Sequence, residues 1–191
     1  MSPGAPALRR AVFFDRDGTL NVDFGFVRDP AAVALVPGAI EGCKLLADAG
    51  FALIVASNQS GIARGVLSVA EADAVDAKIR ELFAAAGVEL GAFYRCPHFV
   101  GGAVSEFNVA CACRKPKPGM LFAAANEHGI DLKRSWLIGD RARDIAAGIA
   151  ARCRAVAVEP VPPLLEPEDV SKAAYRARDL VDAARFIISQ P

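Results

Sequence analysis

Apolar residues in this chain fall into short unbroken blocks separated by segments with helical spacing. Residues 11–14 (Ala-Val-Phe-Phe) stop at Asp15, and residues 51–56 form a second such run. Continuous apolar runs of this length predict strands covered on both faces. Further strands are expected at 92–95, 136–138 and 155–158.

The spacing between these runs is helical. Pro37 and Gly38 open a helix with apolar Ile40, Leu45 and Leu46, and Gly50 closes it. Ser68 followed by Glu71 forms a capping box that starts a long amphipathic helix through Val75, Ile79, Leu82 and Phe83, ending at Gly87. Pro118 begins a helix that ends at His128-Gly129, residues 145–150 belong to the next, and 180–188 form a C-terminal one. Pro160, Pro162, Pro163 and Pro167 mark an extended connection, and residues 1–10 read as a loose terminus.

Strands alternating with helices predict right-handed crossovers. The fold expected is α/β, a Rossmann-like three-layer sandwich with a mainly parallel central sheet and its ligand site at the strands' carboxyl ends. The 191 residues suit one domain, and only short connections separate the motifs, so no large cap domain is expected.

Composition narrows the function classes. Lys plus Arg and Asp plus Glu both total 22, leaving no overall positive field to collect nucleic acid. No apolar run approaches the roughly 20 residues of a membrane helix, and no secretory signal pattern is present. The expectation is a cytoplasmic monomer acting on a small molecule, without nucleic-acid or membrane partners.

Candidate chemistry begins where the first strand ends. In Asp15-Arg16-Asp17-Gly18-Thr19, two carboxylates stand two residues apart, where the pleat sends both to one side. Taken alone, this pattern fits any acidic turn. Ser57-Asn58 after the second strand, Lys115 before a helix, and Asp140 after the fourth strand would converge with it at one sheet edge. A phosphoryl group in transfer needs a hydroxyl or amide donor, a cation and a metal ion around its oxygens. Ser57, Lys115 and a carboxylate-bound Mg²⁺ would supply them.

Five cysteines are present, and three of them crowd one segment beside a histidine. Cys96-Pro97-His98 and Cys111-Ala112-Cys113 offer a Cys₃His set suited to tetrahedral Zn²⁺. Four protein ligands close such a site, so its metal would be structural and would hold the loop leading into Arg114 and Lys115. Cys43 and Cys153 read as inert core thiols.

The ordered set DRDGT, SNQSG, RKPKPG and GDRARD resembles the four motifs of haloacid dehalogenase-type phosphatases, across residues 12–158. More narrowly, DRDGTLNVDFGFV, SNQSGIARG, CPH and CACRKPKPGM resemble the branch that removes the C7 phosphate of D-glycero-D-manno-heptose 1,7-bisphosphate. The resemblance implies Asp15 as nucleophile through an aspartyl-phosphate, Asp17 as acid and base, and Ser57 and Lys115 on the transferring group. It also implies Mg²⁺ on Asp15, the carbonyl of Asp17 and Asp140, with Asp144 in support, and zinc on Cys96, His98, Cys111 and Cys113. Substrate contacts would fall on Asp23, Phe24, Gly25, Phe26, Asn58, Gln59, Ser60, Arg64, Arg114 and Arg141.

Two departures bear on the sugar. Arg141 stands where relatives usually carry Lys, and Phe24 and Phe26 stand where they often carry His and Tyr. A histidinol-phosphate phosphatase is the alternative within the same chemistry, and a catalytically silent zinc-stabilised interaction module is the alternative outside it.

Overall fold

The computed structural model describes residues 8–162 and 168–191. Its centre is a six-stranded, wholly parallel sheet in the order β3-β2-β1-β4-β5-β6. The strands are β1 (Ala11–Phe14), β2 (Ala52–Asn58), β3 (Ala92–Cys96), β4 (Trp136–Gly139), β5 (Arg154–Val158) and β6 (Tyr175–Ala177). The helices are α1 (Ala39–Asp48), α2 (Val69–Ala85), α3 (Gly119–His128), α4 (Ala142–Ala150) and α5 (Leu180–Ser189).

The unbroken apolar strands feed two cores at once. On one face Val12, Phe14, Leu53, Val55 and Ile138 pack with α1, α2 and α5 through Cys43, Leu46, Val75, Ile79, Phe83 and Ile187. On the other, Phe13, Ile54, Ala56 and Leu137 pack with α3 and α4 through Met120, Leu121, Ala124 and Ala147. Alternate residues of one strand thus serve opposite layers, the three-layer sandwich expected.

The capping box of α2 is formed, with the Glu71 amide donating to Ser68 Oγ at 3.1 Å and the Ser68 amide to Glu71 Oε2 at 2.7 Å. Gly129 ends α3 in the left-handed region at φ 60°. β2 runs two residues past its apolar block, so Ser57 and Asn58 pair in register with Arg95 and Cys96 of β3.

β6 has no apolar run and goes unmarked in the sequence. It forms because β5 offers it a ladder, Val156–Val158 against Tyr175–Ala177. Arg9 and Arg10 of the expected loose terminus are tied down: the Arg9 amide bonds Gly129 O at 2.8 Å and Arg10 Nη2 bonds Ala49 O at 2.6 Å. Residues 1–7, and with them the rest of that terminus, lie outside the described residues, as do Pro163 and Pro167 of the proline-marked connection.

Cys43 and Cys153 are buried, and burial pushes both thiols up, Cys153 to about 12. No inserted domain interrupts the sandwich among the described residues, and no helix there is long and apolar enough to cross a membrane.

Candidate active site

Strand order reverses between β1 and β4: the chain passes outward from β1 through β2 to β3, then returns to start β4 on β1's other side. Adjacent loops separate at such a point and leave a crevice at the carboxyl ends. Asp15 leaves β1 there and Asp140 leaves β4. The Asp15 amide still donates to Ile138 O at 3.0 Å, so the nucleophile candidate sits on rigid ladder rather than loop.

Lys115 reaches this point from the segment before α3, and its side chain is fully buried. Its ammonium lies 2.9 Å from Asp15 Oδ1 and 2.7 Å from Asp144 Oδ1, and donates to Ala56 O at 2.6 Å. Asn58 holds the backbone at that residue: its Nδ2 donates to Lys115 O at 3.0 Å and its Oδ1 accepts from the Lys115 amide at 2.9 Å. The end of β2 thereby positions a lysine 57 residues away.

Charge pairing outweighs burial for both partners. Burial favours a neutral Asp15, yet Lys115 and Arg143 hold its carboxyl below the usual range. Burial likewise disfavours the Lys115 cation, yet Asp144 and Asp15 raise its pKa. Asp15 is therefore an anion and Lys115 a cation.

Asp17 is held differently. Arg16 Nε and Nη2 donate to its Oδ1 and Oδ2 at 3.1 and 2.9 Å, Asn21 Nδ2 donates to Oδ1 at 2.9 Å, and Gln59 Nε2 donates to Oδ2 at 2.6 Å. Gln59 Nε2 also lies 2.8 Å from Ser57 Oγ, linking the hydroxyl to the same network. Four donors thus converge on its two oxygens.

Asp15, Asp140 and Asp144 each present a carboxylate oxygen within 4.8 Å of the others. Lys115 pairs with both Asp144 and Asp15, so Asp140 is the member of the three without the lysine. Asp140 Oδ1 is buried without a hydrogen-bond partner, and burial together with the Asp15 and Asp144 charges pushes this carboxyl up to about 7. Such an atom can take a cation as its partner, and hard carboxylate oxygens suit Mg²⁺. Gly18, at φ +86°, makes the approach possible: a Cβ there would stand 2.6 Å from Asp140 Oδ2.

The second cluster is a set that could hold a metal ion. Cys96 Sγ lies 3.5 Å from Cys111 Sγ and 3.7 Å from His98 Nδ1, which lies 3.3 Å from Cys113 Sγ. A tetrahedron with bonds of about 2.3 Å to sulfur and 2.0 Å to nitrogen has edges of roughly 3.5–3.8 Å, close to these three separations, and all four ligand atoms lie within 4.8 Å of one another.

The predicted substrate contacts gather around this edge unevenly. Arg141 Nε bonds Asp140 Oδ2 at 2.9 Å, and its Nη2 lies 3.4 Å from Asp23 Oδ2, so Asp23 and Arg141 form one arm. Phe24 is two-thirds exposed at 66%, Gly25 stands at φ +89°, and Phe26 covers Gly61, where a Cβ would lie 2.6 Å from its ring. Ser60 accepts the Arg64 amide at 3.0 Å through its carbonyl, and the Arg64 side chain is exposed. Arg114 is half-buried, with Nη1 3.4 Å from His98 O.

Four members of the network went unsingled in the sequence. Arg16 sat inside the carboxylate motif, and Asn21 six residues after Asp15, so proximity alone could have raised both. Arg143, whose charge acts on Asp15, lies inside the GDRARD segment, and Asp76, which pairs with Arg16 at 2.7 Å, lies in a helix with no motif to mark it.

Comparison with known proteins agrees with the geometry. Residues 112–183 match the HAD-hydrolase-like family model. The chain is 43% identical over 141 residues to D-glycero-beta-D-manno-heptose-1,7-bisphosphate 7-phosphatase of Yersinia pestis, covering 74% of this chain and 75% of that protein. It is 37% identical over 180 residues to the enzyme of the same name from Escherichia coli strain K12, covering 94% of each. The crystal structure of D,D-heptose 1,7-bisphosphate phosphatase from B. bronchiseptica, complexed with magnesium and phosphate, superposes with a TM-score of 0.81 at 30% identity, covering 95% of this chain and 99% of that one. The chain belongs to the haloacid dehalogenase-like phosphatases, in the family that includes the heptose-1,7-bisphosphate 7-phosphatases.

Proposed function

We propose that this chain is a magnesium-dependent phosphomonoesterase that removes the C7 phosphate of D-glycero-D-manno-heptose 1,7-bisphosphate through an aspartyl-phosphate. The observation that carries the reading is the buried Asp15–Lys115–Asp144 line at the switch point, where an anionic nucleophile stands beside a fixed cation.

In this reading Asp15 attacks phosphorus, forming a P–O bond as the bond to the sugar oxygen breaks. Asp17 delivers the proton that oxygen takes up, then removes one from the water that hydrolyses the aspartyl-phosphate. The second half suits Asp17 as it stands, with both oxygens already acting as acceptors. The first half requires Oδ2 to carry a proton taken up from solvent and to exchange the Gln59 amide for the leaving oxygen. Lys115 and Ser57 meet the charge on the equatorial phosphoryl oxygens.

Asp15, Asp140 and the Asp17 carbonyl would hold Mg²⁺, which when bound neutralises charge on the phosphoryl oxygens. Cys96, His98, Cys111 and Cys113 would hold a structural Zn²⁺. Asp23, Phe24, Gly25, Phe26, Asn58, Gln59, Ser60, Arg64, Arg114 and Arg141 form the substrate contacts, and the protein works as a cytoplasmic monomer.

The test is phosphate release, with and without Mg²⁺, from both anomers of heptose 1,7-bisphosphate and from histidinol phosphate, with Asp15→Asn as the blank. Mg²⁺-dependent preference for a heptose anomer is expected. Preference for histidinol phosphate would move the function to the alternative branch, and no turnover of any would overturn the reading.

A further inference from the structure

Phe99 follows His98, the histidine of the candidate zinc cluster, and two guanidinium groups gather on its ring. Arg64 Cζ lies 3.8 Å from the ring centroid and Arg114 Cζ lies 5.4 Å from it. Among the described residues neither arginine has a carboxylate within 4.0 Å. The contrast with Arg16, Arg95 and Arg141 is direct, since each of those is paired with an acid.

Backbone ties fix where both arms start. The Ala63 amide bonds Pro97 O at 3.3 Å and the Val104 amide bonds Ala63 O at 2.9 Å, so the loop that follows Cys96 clasps the residue before Arg64. Gly102 closes the clasp: a Cβ there would stand 2.5 Å from Ala63 O. Arg114 follows Cys113 directly and reaches back to His98 O at 3.4 Å.

Holding an arginine on a ring differs from holding it on a carboxylate. The ring face fixes the guanidinium plane, cancels none of its charge and leaves the in-plane N–H donors free. Two such cations beside one neutral ring form a receptor for a dianion, and fork-shaped donors match phosphate. Arg114 is adjacent to Lys115, so this receptor flanks the reacting phosphoryl group without being part of its site.

We propose that Phe99 is a positioning residue whose ring orients Arg64 and Arg114 to receive the second, unhydrolysed phosphate of a bisphosphate substrate. The inference rests on the bisphosphate reading above. Phe99 touches no reacting atom and acts through the two arginines.

The experiment compares kcat/KM for a bisphosphate with that for the corresponding monophosphate in wild type, Phe99→Leu and Phe99→Tyr. Heptose 1,7-bisphosphate against heptose 7-phosphate is one pair; fructose 1,6-bisphosphate against fructose 6-phosphate is the second. In Phe99→Leu the bisphosphate-to-monophosphate ratio is expected to fall about five- to tenfold, chiefly through KM, with zinc content retained. Phe99→Tyr, which keeps the ring, should restore it. Arg64→Gln should lower the same ratio, and Phe99→Leu added to Arg64→Gln should cost less than Phe99→Leu alone.

An unchanged ratio in Phe99→Leu on both pairs, or fully additive costs in the double variant, overturns the proposal. So does a wild type with no bisphosphate preference on either pair. Slow turnover of the heptose pair with an intact effect on the fructose pair would instead sink the heptose reading and leave Phe99 in its role.

Discussion

The buried guanidinium of Arg16 joins Asp17 to Asp76, donating to both oxygens of Asp17 and, at 2.7 Å, to Oδ1 of Asp76 on α2. The candidate acid-base group is thus held by a helix that carries none of the four sequence motifs. Arg16 is 1% exposed, so its charge depends on both partners.

Asp76→Ala should therefore destabilise the fold. Leaving a buried cation half-paired costs about 2–3 kcal/mol, or roughly 4–12 °C in Tm for a chain of this size. Asp76→Asn keeps an acceptor and should recover part of the loss. Thermal unfolding of the two variants checks this; an unchanged Tm for Asp76→Ala would refute the role given to Arg16.

Gly18→Ala should damage catalysis more than stability. The new methyl would meet Asp140 Oδ2 at 2.6 Å on a backbone already at φ +86°. Displacing one carboxylate of the proposed magnesium site by about 1 Å is expected to cost on the order of 100-fold in kcat/KM. Gly50→Ala is the control, having φ +84° with nothing within 4 Å of its Cβ and lying outside the site. It carries the same backbone strain, about 1–2 kcal/mol, without the collision. Equal losses in the two variants would contradict this account.

Magnesium binding should release a proton. Asp140 is pushed up to about 7 by burial and by its anionic neighbours, so near neutral pH it is partly protonated, while a metal ligand must be ionised. Affinity is then expected to weaken as pH falls through about 7, approaching tenfold per unit below it, and to level off above. Titration calorimetry in buffers of different ionisation enthalpy reads the proton directly. A pH-independent affinity between 5.5 and 8 would remove Asp140 as the titrating group.

Loss of the Cys₃His metal should act at a distance. Cys111→Ser removes one of four ligands, and the chain from Cys113 runs straight into Arg114 and Lys115. Zinc content should fall below one per chain, and turnover of p-nitrophenyl phosphate should drop with it. Full zinc and full activity in Cys111→Ser would show that the cluster does not position Lys115.

Much of this architecture is written locally. Runs such as Ala-Val-Phe-Phe have apolar side chains on both faces and can rest only between two layers, and Ser68 with Glu71 closes a capping box within four residues. The carboxylates of Asp15 and Asp17 and the Cys₃His set are legible as residue types at set spacings, whereas the substrate-contact candidates come only from the resemblance to the phosphatase motifs.

Other features depended on the assembled fold. β6 is a strand only because β5 supplies its partner, since three residues with one buried side chain carry no period of their own. Asp144 stands beside Asp15 and Asp140 as its place in the motif suggests, and folding also sets it against Lys115. Asp76 and Phe99 carry no local mark at all: a helix acid and a loop aromatic acquire meaning from the guanidinium groups that reach them. Short-range patterns follow from steric and solvation preferences of neighbouring residues, whereas the pairing of charges 60 residues apart, as between Arg16 and Asp76, exists only once the sheet order brings their elements together.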